Sequence, residues 1–345
     1  MTTQRWIAAD RRTPDEEQQA WSLRPRSIDE YVGQRDLVER LRITLGAAKE
    51  RGESPEHILL HGPPGLGKTT LAHVIAQEMG TALHTTSGPA ITRGSDLVGA
   101  LTKLKQGDVL FIDEIHRLPI AVEEFIYPAM EDWKIDVAVD SGMNARTVCI
   151  KLKPFTLIGA TTRAGLISAP LRSRFGVTHH LRYYPVVELL EILHRSAALL
   201  SVGANEDSLR SIADRSRGTP RIANRLLRRV RDYAQVRSQG RVEPRIVDEA
   251  LALEGIDALG LDDLDRVYLK VIASTYAGGP VGLEAIAATM GEDAGTLEDV
   301  IEPFLLQIGF LARTRKGRML TSAAAKYMGV EPPAEVAGDA GLFEE

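Results

Sequence analysis

The clearest chemical signal in the sequence is a glycine-rich stretch followed by lysine and threonine, Gly62-Pro-Pro-Gly65-Leu-Gly67-Lys68-Thr69. It satisfies the pattern G-x-x-x-x-G-K-[ST] and lies between an apolar run and a helical pattern, as a phosphate-binding loop requires. Glycines let the backbone approach phosphate oxygens, while loop N–H groups and the helix N-terminus face the anion. Lys68 would neutralise phosphate charge and the Thr69 hydroxyl would bind magnesium. The motif predicts a site for a nucleoside triphosphate with Mg²⁺.

An acidic pair lies about 45 residues further on, where four apolar residues in VLFIDEIHRL precede Asp113 and Glu114. An apolar strand ending in acid places its carboxylates at the carboxyl edge of a sheet, beside the phosphate loop. We predict that Asp113 holds magnesium through water and that Glu114 polarises the attacking water. The pattern alone would suit a strand followed by a helix cap, and the pairing with Lys68 and Thr69 favours the catalytic interpretation.

Hydroxyl and guanidinium groups follow a third apolar run. FTLIGATTR ends in Thr161, Thr162 and Arg163. The two threonine hydroxyls could orient a water near a γ-phosphate, although such a threonine pair more often belongs to a turn. In APLRSRFG, Arg172 or Arg174 could reach a phosphate on a neighbouring subunit, since a guanidinium stabilises the charge of phosphoryl transfer. Two ordinary surface arginines are the alternative interpretation.

A fourth candidate is Arg221, which follows Gly218-Thr219-Pro220, a signature of a helix start. Most arginines of RGTPRIANRLLRRVR fit the solvated face of an amphipathic helix. Arg221 differs because the helix start fixes it at a domain joint, where it could close onto nucleotide.

Composition excludes several classes of protein. The 345 residues are 44% hydrophobic and 26% charged, which is typical of a globular chain of two or three domains. The single cysteine, Cys149, excludes an internal disulfide and a cysteine-based zinc site. No run of about 18 apolar residues occurs and the first residues carry charges, so we expect neither secretion nor membrane insertion, and a cytoplasmic location.

Charge is distributed unevenly along the chain. The net charge of −5 argues against a protein that coats nucleic acid through bulk positive charge. Between Leu311 and Lys326, however, no acidic residue occurs, and five are basic: Arg313, Arg315, Lys316, Arg318 and Lys326. This stretch is a candidate nucleic-acid contact.

The elements that position these residues form successive modules. From His57 to about Tyr184, apolar runs alternate with helical patterns, which favours a parallel sheet covered by helices. From Pro185 to about Glu254 the pattern is helical. We predict a flexible segment 1–20, an α/β sheet domain 21–184, a helical lid domain 185–255, a winged-helix domain 256–330 and a mobile tail 331–345.

The winged-helix prediction depends on the last hundred residues. GIDALGLDD reads as a linker, and three helical stretches follow: DRVYLKVIASTYAG, LEAIAATMG and TLEDVIEPFLLQIG. GFLARTRKGRMLTS then predicts two short strands around a turn at Lys316-Gly317.

These motifs, taken together and in this order, resemble the AAA+ ATPases and, within them, the bacterial RuvB family of Holliday-junction branch-migration motors. The resemblance extends from about Leu23 to Tyr327. It is carried by LRPRSIDEYVGQ, HGPPGLGKTTLA, TSGP, VLFIDEIHRL, YPAMED, FTLIGATTRAG, PLRSRFG, RGTPRIANRLLRRVRD, GGPVGL and GFLARTRKGRM.

The resemblance implies roles for individual residues. Leu23, Arg24, Glu131, Asp132, Trp133 and Tyr184 would lie at the adenine pocket of bound ATP, while Gly65, Gly67, Lys68, Thr69 and Thr70 would hold phosphates and magnesium. Asp113 and Glu114 would be the magnesium and water residues. Thr162 would be the first sensor, Arg221 the second, and Arg174 the finger that reaches the next subunit, with Arg172 as its rival.

The resemblance also implies partners. The stretch 132–152 would be a β-hairpin that docks on RuvA, although its alternation would suit an ordinary hairpin equally. A homohexameric ring, Holliday-junction DNA and RuvC in the resolving complex are further implications, with DNA contacts at Arg313 and Arg318. Two features depart from the expected pattern: the acidic segment GEDAGTLED, and a threonine in place of the first-sensor asparagine common in the wider superfamily.

Three functions remain for comparison. The first is an ATP-hydrolysing hexameric motor that pulls duplex DNA and moves a four-way junction. The second is a nucleotide-switched DNA-binding or regulatory protein, which would lack a catalytic carboxylate or finger. A clamp-loader-like ATPase would usually lack the winged helix. Because Glu114 and Arg174 are both present, the motor is favoured.

Overall fold

The computed structural model describes residues 23–138 and 147–331, which form two compact units, 23–228 and 229–331. The predicted segment 1–20, the turn of the predicted hairpin and nearly all of the predicted tail lie outside the described residues. Within the described part of the chain, no helix is long and apolar enough to cross a membrane.

A parallel sheet occupies the centre of the first unit. The strands of this unit are β1 Ile58–His61, β2 Leu83–Ser87, β3 Val109–Asp113, β4 Lys134–Ala138, β5 Thr147–Lys151, β6 Thr156–Thr161, β7 Val177–His180 and β8 Gly203–Ala204. Five of them pair in the order β2-β3-β6-β1-β7, all parallel. The central strand β6 is buried along its whole length, as expected of a strand covered on both faces. The carboxyl ends of β1, β3 and β6 therefore meet at one edge.

Helices connect these strands. They are α1 Arg35–Arg51, α2 Lys68–Met79, α3 Gly94–Leu101, α4 Ile120–Glu131, α5 Ala169–Ser173, α6 Val186–Leu199, α7 Glu206–Asp214 and α8 Pro220–Arg237, with 3₁₀ turns at Gly88–Ala90, Ile115–Arg117 and Ala164–Leu166. The predicted α/β sheet with helices after it is confirmed. Strands β4 and β5 pair antiparallel, with Lys134 opposite Lys151, inside the predicted hairpin 132–152.

The second unit begins within α8, because the division between the units falls at Arg228–Arg229. Its further elements are β9 Arg241–Val242, α9 Pro244–Leu253, α10 Asp263–Thr275, α11 Leu283–Met290, α12 Ala294–Thr296, a π-helix Leu297–Ile301, α13 Glu302–Gln307, β10 Leu311–Thr314, β11 Gly317–Leu320 and α14 Ser322–Met328. The third predicted helix is thus interrupted by a π-helical turn. Helices and hairpin share one core around Tyr268, Leu269 and Leu305.

The segment predicted as a linker is packed. Leu261 is fully buried in the core of the second unit. The Asp257 carboxylate accepts hydrogen bonds from the backbone N–H groups of Leu259 and Leu261 and from the Tyr327 hydroxyl. The glycines and aspartates of this stretch therefore build a fixed turn, which directs Leu261 into the core and leaves Leu259 exposed.

The turn of the wing lies one residue earlier than predicted. Arg315 and Lys316 form it, and Gly317 is the first residue of β11. Gly317 has φ 137°, and a Cβ there would lie 2.4 Å from the Val281 carbonyl oxygen. A close backbone approach, rather than the turn itself, therefore requires glycine at this position.

Candidate functional site

The glycine-rich loop joins the end of β1 to the start of α2. Gly62, Gly65 and Gly67 all have positive φ, at 138°, 81° and 98°. A Cβ on Gly62 would lie 2.5 Å from the Leu181 carbonyl oxygen, and one on Gly65 would lie 2.6 Å from Thr219 Cγ2. Backbone strain and lack of space thus both require glycine. The loop is held as a narrow backbone cradle in front of the first N–H groups of α2, which suits a polyphosphate.

Lys68 is buried within this cradle, with 8% of its surface exposed. Its Nζ donates hydrogen bonds to the carbonyl oxygens of Gly62 at 2.7 Å and Pro63 at 2.9 Å. Burial lowers the pKa of Lys68 to about 8; the Asp113 carboxylate opposes this change and the Arg221 guanidinium adds to it. Lys68, Asp113 and Arg221 are therefore electrostatic neighbours at one site.

This pKa predicts a pH dependence of ATP binding. Phosphates beside Lys68 favour the charged ammonium, so above pH 8 binding requires uptake of a proton. We expect the Kd for ATP to be about tenfold higher at pH 9 than at pH 7, measured by fluorescent-nucleotide titration. Lys68→Arg stays charged over this range and should show no such rise. An equal rise in the Kd for ATP between pH 7 and pH 9 in both proteins would contradict the assignment of this pH dependence to Lys68.

The acidic pair lies at the carboxyl end of β3. Asp113 is the last residue of the strand, and its Oδ1 accepts a hydrogen bond from the Glu114 N–H at 2.9 Å. Glu114 has a left-handed backbone, φ 47° and ψ 44°, which is uncommon outside glycine. Its Oε2 accepts a hydrogen bond from Arg117 Nη1 at 2.9 Å. Both carboxylates are partly exposed, so water and ligand can reach them.

The oxygen donors fit magnesium held together with phosphate. Thr69 and Asp113 offer a hydroxyl and a carboxylate, and Mg²⁺ prefers a few protein oxygens supplemented by phosphate and water. Among residues 23–138 and 147–331, no group of three or more His, Cys, Asp or Glu side chains could form a protein metal cage. The donor set thus matches a metal that binds with its nucleotide.

The two threonines at the end of β6 have different surroundings. Thr161 is buried, its Oγ1 is 2.9 Å from His116 Nδ1, and it accepts a hydrogen bond from the Arg163 N–H at 2.9 Å. Thr162 is exposed. Thr161 thus connects the sheet edge to the turn after Glu114, whereas the side chain of Thr162 is accessible from solvent.

The start of α8 lies against the phosphate loop. The Arg221 N–H donates to the Gly65 carbonyl oxygen at 3.4 Å, and a Cβ on Gly65 would lie 3.2 Å from Arg221 Cβ. Gly218, with φ 65°, accepts a hydrogen bond from the Tyr184 N–H at 2.9 Å. The segment after β7, the start of α8 and the phosphate loop are therefore joined by direct contacts.

The described N-terminal segment also packs against the phosphate loop and its neighbours. Leu23 is buried, and its carbonyl oxygen accepts a hydrogen bond from Arg195 at 2.8 Å. Tyr184 is also buried, and its hydroxyl donates to that of Tyr31 at 3.3 Å. A Cβ on Gly67 would lie 3.0 Å from the same Tyr31 hydroxyl. Tyr31, which the motifs did not single out, thus links Tyr184 to the phosphate loop.

Arg24 lies beside α2. Together with burial, its positive charge lowers the pKa of His73 to about 4. His73 is one helical turn beyond Thr69 and Thr70, both of which are partly exposed at the helix start. Arg24 is therefore near the side of α2 that carries His73, one turn from the helix start.

Glu131, Asp132 and Trp133 lie elsewhere. Trp133 packs edge-on against His57 and Phe155, with ring centroids 5.6 and 5.3 Å away. His57 precedes β1, so this contact is at the opposite end of that strand from the phosphate loop. Asp132 pairs with Lys134 at 2.8 Å. The structure does not bring this trio to Leu23 and Tyr184 of the same chain.

Glu131 instead accompanies Arg174. Arg174 Nε is 3.1 Å from Glu131 Oε1, its guanidinium stacks 4.2 Å from the centre of the Tyr127 ring, and its Nη1 donates to the Pro170 carbonyl oxygen. Tyr127 is fixed in turn by a 2.9 Å hydrogen bond to the buried Glu123. Arg174 is thus held in a defined orientation on the α4–α5 surface.

Arg172 has different neighbours. Its Nη2 donates to the Ala164 carbonyl oxygen. Burial lowers the pKa of His61, and the charges of His180, Arg172 and Lys68 lower it further. Arg172 therefore acts electrostatically next to the chain's own phosphate loop, whereas the contacts of Arg174 belong to another surface.

The basic wing carries the remaining candidates. Arg313 on β10 and Arg318 on β11 lie directly opposite each other in the antiparallel register. Both donate to Glu302: Arg313 Nε to Oε2 at 2.7 Å and Arg318 Nε to Oε1 at 3.0 Å. Glu302 is fully buried and also accepts a hydrogen bond from the Tyr268 hydroxyl at 2.7 Å. The two arginines are therefore structural partners of a buried carboxylate as well as surface cations.

Comparison with known proteins identifies the family. Three family models match: the Holliday junction DNA helicase RuvB P-loop domain over residues 23–181, the RuvB AAA lid domain over 184–257, and the RuvB C-terminal winged helix domain over 258–329. The Holliday junction branch migration complex subunit RuvB of Desulfosudis oleivorans is 57% identical over 311 residues, 90% of this chain and 91% of that protein. Its counterpart in Myxococcus xanthus is 55% identical over 312 residues, 90% of this chain and 91% of its own length.

Solved structures agree with these matches. The Thermotoga maritima RuvB Holliday junction branch migration motor superposes with a TM-score of 0.82 at 51% identity, covering 90% of this chain and all of that one. The predicted architecture of AAA+ sheet domain, lid and winged helix is thereby confirmed. Family models over nearly the whole described chain and relatives of this identity show that the chain belongs to the RuvB family.

Proposed function

We propose that this protein is an ATP-driven DNA motor that promotes branch migration of Holliday junctions in recombination and repair. The observation that carries the proposal is the convergence of Lys68, Asp113 and Arg221 at one phosphate cradle, in a chain that also has a basic winged helix. Similarity to the RuvB motor of Thermotoga maritima supports the same conclusion. We assign the ATPase domain to 21–184, the lid to 185–255 and the winged helix to 256–330.

In the chain's own site, Lys68 and the loop N–H groups would hold the phosphates, with Gly65, Gly67 and Thr70 lining them. Thr69 and Asp113 would hold Mg²⁺, which neutralises charge on the transferring phosphate. Glu114 would accept a proton from the attacking water, and Thr162 would orient that water. Arg221 would contact the γ-phosphate from the lid. Leu23, Arg24 and Tyr184 would enclose the adenine.

Arg174 and Glu131 would act on the nucleotide of a neighbouring subunit in a homohexameric ring. The supporting observation is that they contact each other on a surface that does not include the chain's own phosphate loop among its described contacts. Asp132 and Trp133 directly follow Glu131 in the chain, and we propose that this stretch reaches the same shared site, with the Trp133 ring packed against His57 and Phe155. Arg172 remains the rival finger.

The partners follow from the same assignment. Strand β5 exposes Val148 on the β4–β5 hairpin, which supports docking of an apolar surface on RuvA. RuvC would join in the resolving complex. The cytoplasm remains the predicted location.

The test is ATP-dependent dissociation of a synthetic four-way junction, with and without RuvA. Lys68→Ala provides the control, because it removes the phosphate-binding ammonium. Strand separation that requires ATP, Lys68 and RuvA supports the motor. Junction binding without strand separation would favour a nucleotide-switched DNA-binding protein instead.

A second prediction concerns the wing. Arg313→Gln with Arg318→Gln should weaken duplex binding to a similar extent for unrelated sequences, and lower the slope of log Kd against log salt by about 1.8, since two phosphate contacts are lost. Glutamine retains an N–H donor for Glu302. Fluorescence anisotropy over a salt series measures the effect.

Thermal unfolding of the same variant tests whether the wing stays folded. The control variant, Lys270→Ala with Arg241→Ala, removes the same amount of charge elsewhere in the second unit and should weaken duplex binding less. A loss of affinity that depends strongly on DNA sequence would contradict phosphate recognition by the wing.

A further inference from the structure

The guanidinium nitrogens of Arg313 and Arg318 have two different acidic neighbours. Their inner nitrogens are committed to Glu302, with Arg313 Nη2 at 2.5 Å in addition to the two Nε contacts. Their outer nitrogens face Glu298: Arg313 Nη1 is 3.8 Å and Arg318 Nη2 is 3.7 Å from the same oxygen, Glu298 Oε1. One carboxylate oxygen thus lies between two guanidinium groups, beyond hydrogen-bond distance of either.

We propose that Glu298 is a built-in competitor of DNA: its carboxylate occupies the place of a backbone phosphate between Arg313 and Arg318 and is displaced when the duplex binds. The inference rests on the proposed function, because it takes these arginines as the DNA contact. Beyond that function, the inference assigns to Glu298 a role in setting the affinity of the wing for DNA. It also names the group that replaces the Glu298 carboxylate, a phosphodiester oxyanion.

The two glutamates differ in the way that this role requires. Glu302 is fully buried and satisfied by three donors, so it fixes the guanidinium groups and cannot leave. Glu298 has 42% of its side chain exposed and makes only long contacts. An exposed ion pair of this kind is weak and screened by salt, so a phosphate can replace it.

The backbone explains why both carboxylates reach the wing. Glu298 lies in the π-helical turn Leu297–Ile301, and Glu302 begins α13 directly after it. Residues four apart lie on the same face of a helix, so both carboxylates are presented to the paired strands β10 and β11. The acidic segment that departed from expectation for a DNA-facing helix thus contributes a counter-charge to the wing.

The experiment compares duplex binding by the full-length protein and its Glu298→Gln variant. Loss of the competing charge should lower the Kd for a labelled duplex about two- to fivefold, the range for one exposed ion pair. The slope of log Kd against log salt should become steeper, because the guanidinium groups then bind solution anions that DNA releases. Glu284→Gln, at an exposed position of α11, makes the same change of charge and should alter Kd less.

A third protein separates this inference from the proposed function. Adding Glu298→Gln to the Arg313→Gln and Arg318→Gln variant should produce no gain, because the competitor acts only through the arginines. An equal gain in that background, or a gain no larger than that of Glu284→Gln, would overturn the competitor role and leave DNA binding by the wing intact. Wild-type affinity in the arginine variant would overturn both. Thermal unfolding of each protein excludes a folding effect.

Discussion

Glu114→Gln should stop ATP turnover while preserving ATP binding. General-base catalysis contributes about 10²- to 10⁴-fold, so we expect steady-state phosphate release to fall by at least 100-fold. The amide matches the carboxylate in shape and suits the same left-handed backbone, and Lys68, Asp113 and the loop are unchanged. The Kd for a fluorescent ATP analogue should stay within about threefold of wild type, since no phosphate contact is removed.

Glu124→Gln is a matched control, because this exposed residue of α4 undergoes the same change of charge. It should retain full turnover. If Glu114→Gln lost tight nucleotide binding, Glu114 would be a ligand or a structural residue of the loop. Near-normal turnover would require another base.

Arg174→Ala should lower turnover about 10³-fold, the usual contribution of an arginine supplied to a phosphoryl-transfer site. Mixing it with Lys68→Ala should restore activity, which neither protein has alone. In a mixed ring some interfaces combine an intact Lys68 site with an intact Arg174 from the neighbour. ATPase activity measured over a series of mixing ratios tests this expectation.

Arg172→Ala decides between the two candidate fingers. Its charge acts near His61 in the same chain, so we expect a smaller loss and no rescue by Lys68→Ala. If Lys68→Ala restored the ATPase activity of Arg172→Ala and failed to restore that of Arg174→Ala at every mixing ratio, Arg172 would be the arginine that acts on the neighbouring subunit.

Local sequence predicts most of the sheet and the phosphate cradle because each depends on short-range patterns. The apolar runs of β1, β3 and β6 lie between turn residues, and the loop glycines have conformations that other residues rarely adopt. The position of Asp113 beside the phosphate loop is predictable because the residue ends an apolar strand.

Other features depend on contacts that no local pattern encodes. Leu261 is buried although its surroundings read as a linker, because the core of the second unit covers it. The wing arginines read as solvent-facing cations, yet Glu302, eleven residues before Arg313, binds them from a buried position. Glu131 pairs with Arg174 across more than forty residues of sequence. Their roles become visible only when the chain is folded.

The continuity of α8 has a mechanical consequence. The helix has 18 residues and a length of about 27 Å. Its first turn contacts the phosphate loop through Arg221, and its last turns belong to the second compact unit. A tilt of about 10° at Pro220 would move the far end of a rod of this length by about 5 Å, more than the roughly 3.4 Å between successive nucleotides of a DNA strand. A small rotation at the start of α8 therefore becomes a displacement of several ångströms at the far end of the same helix.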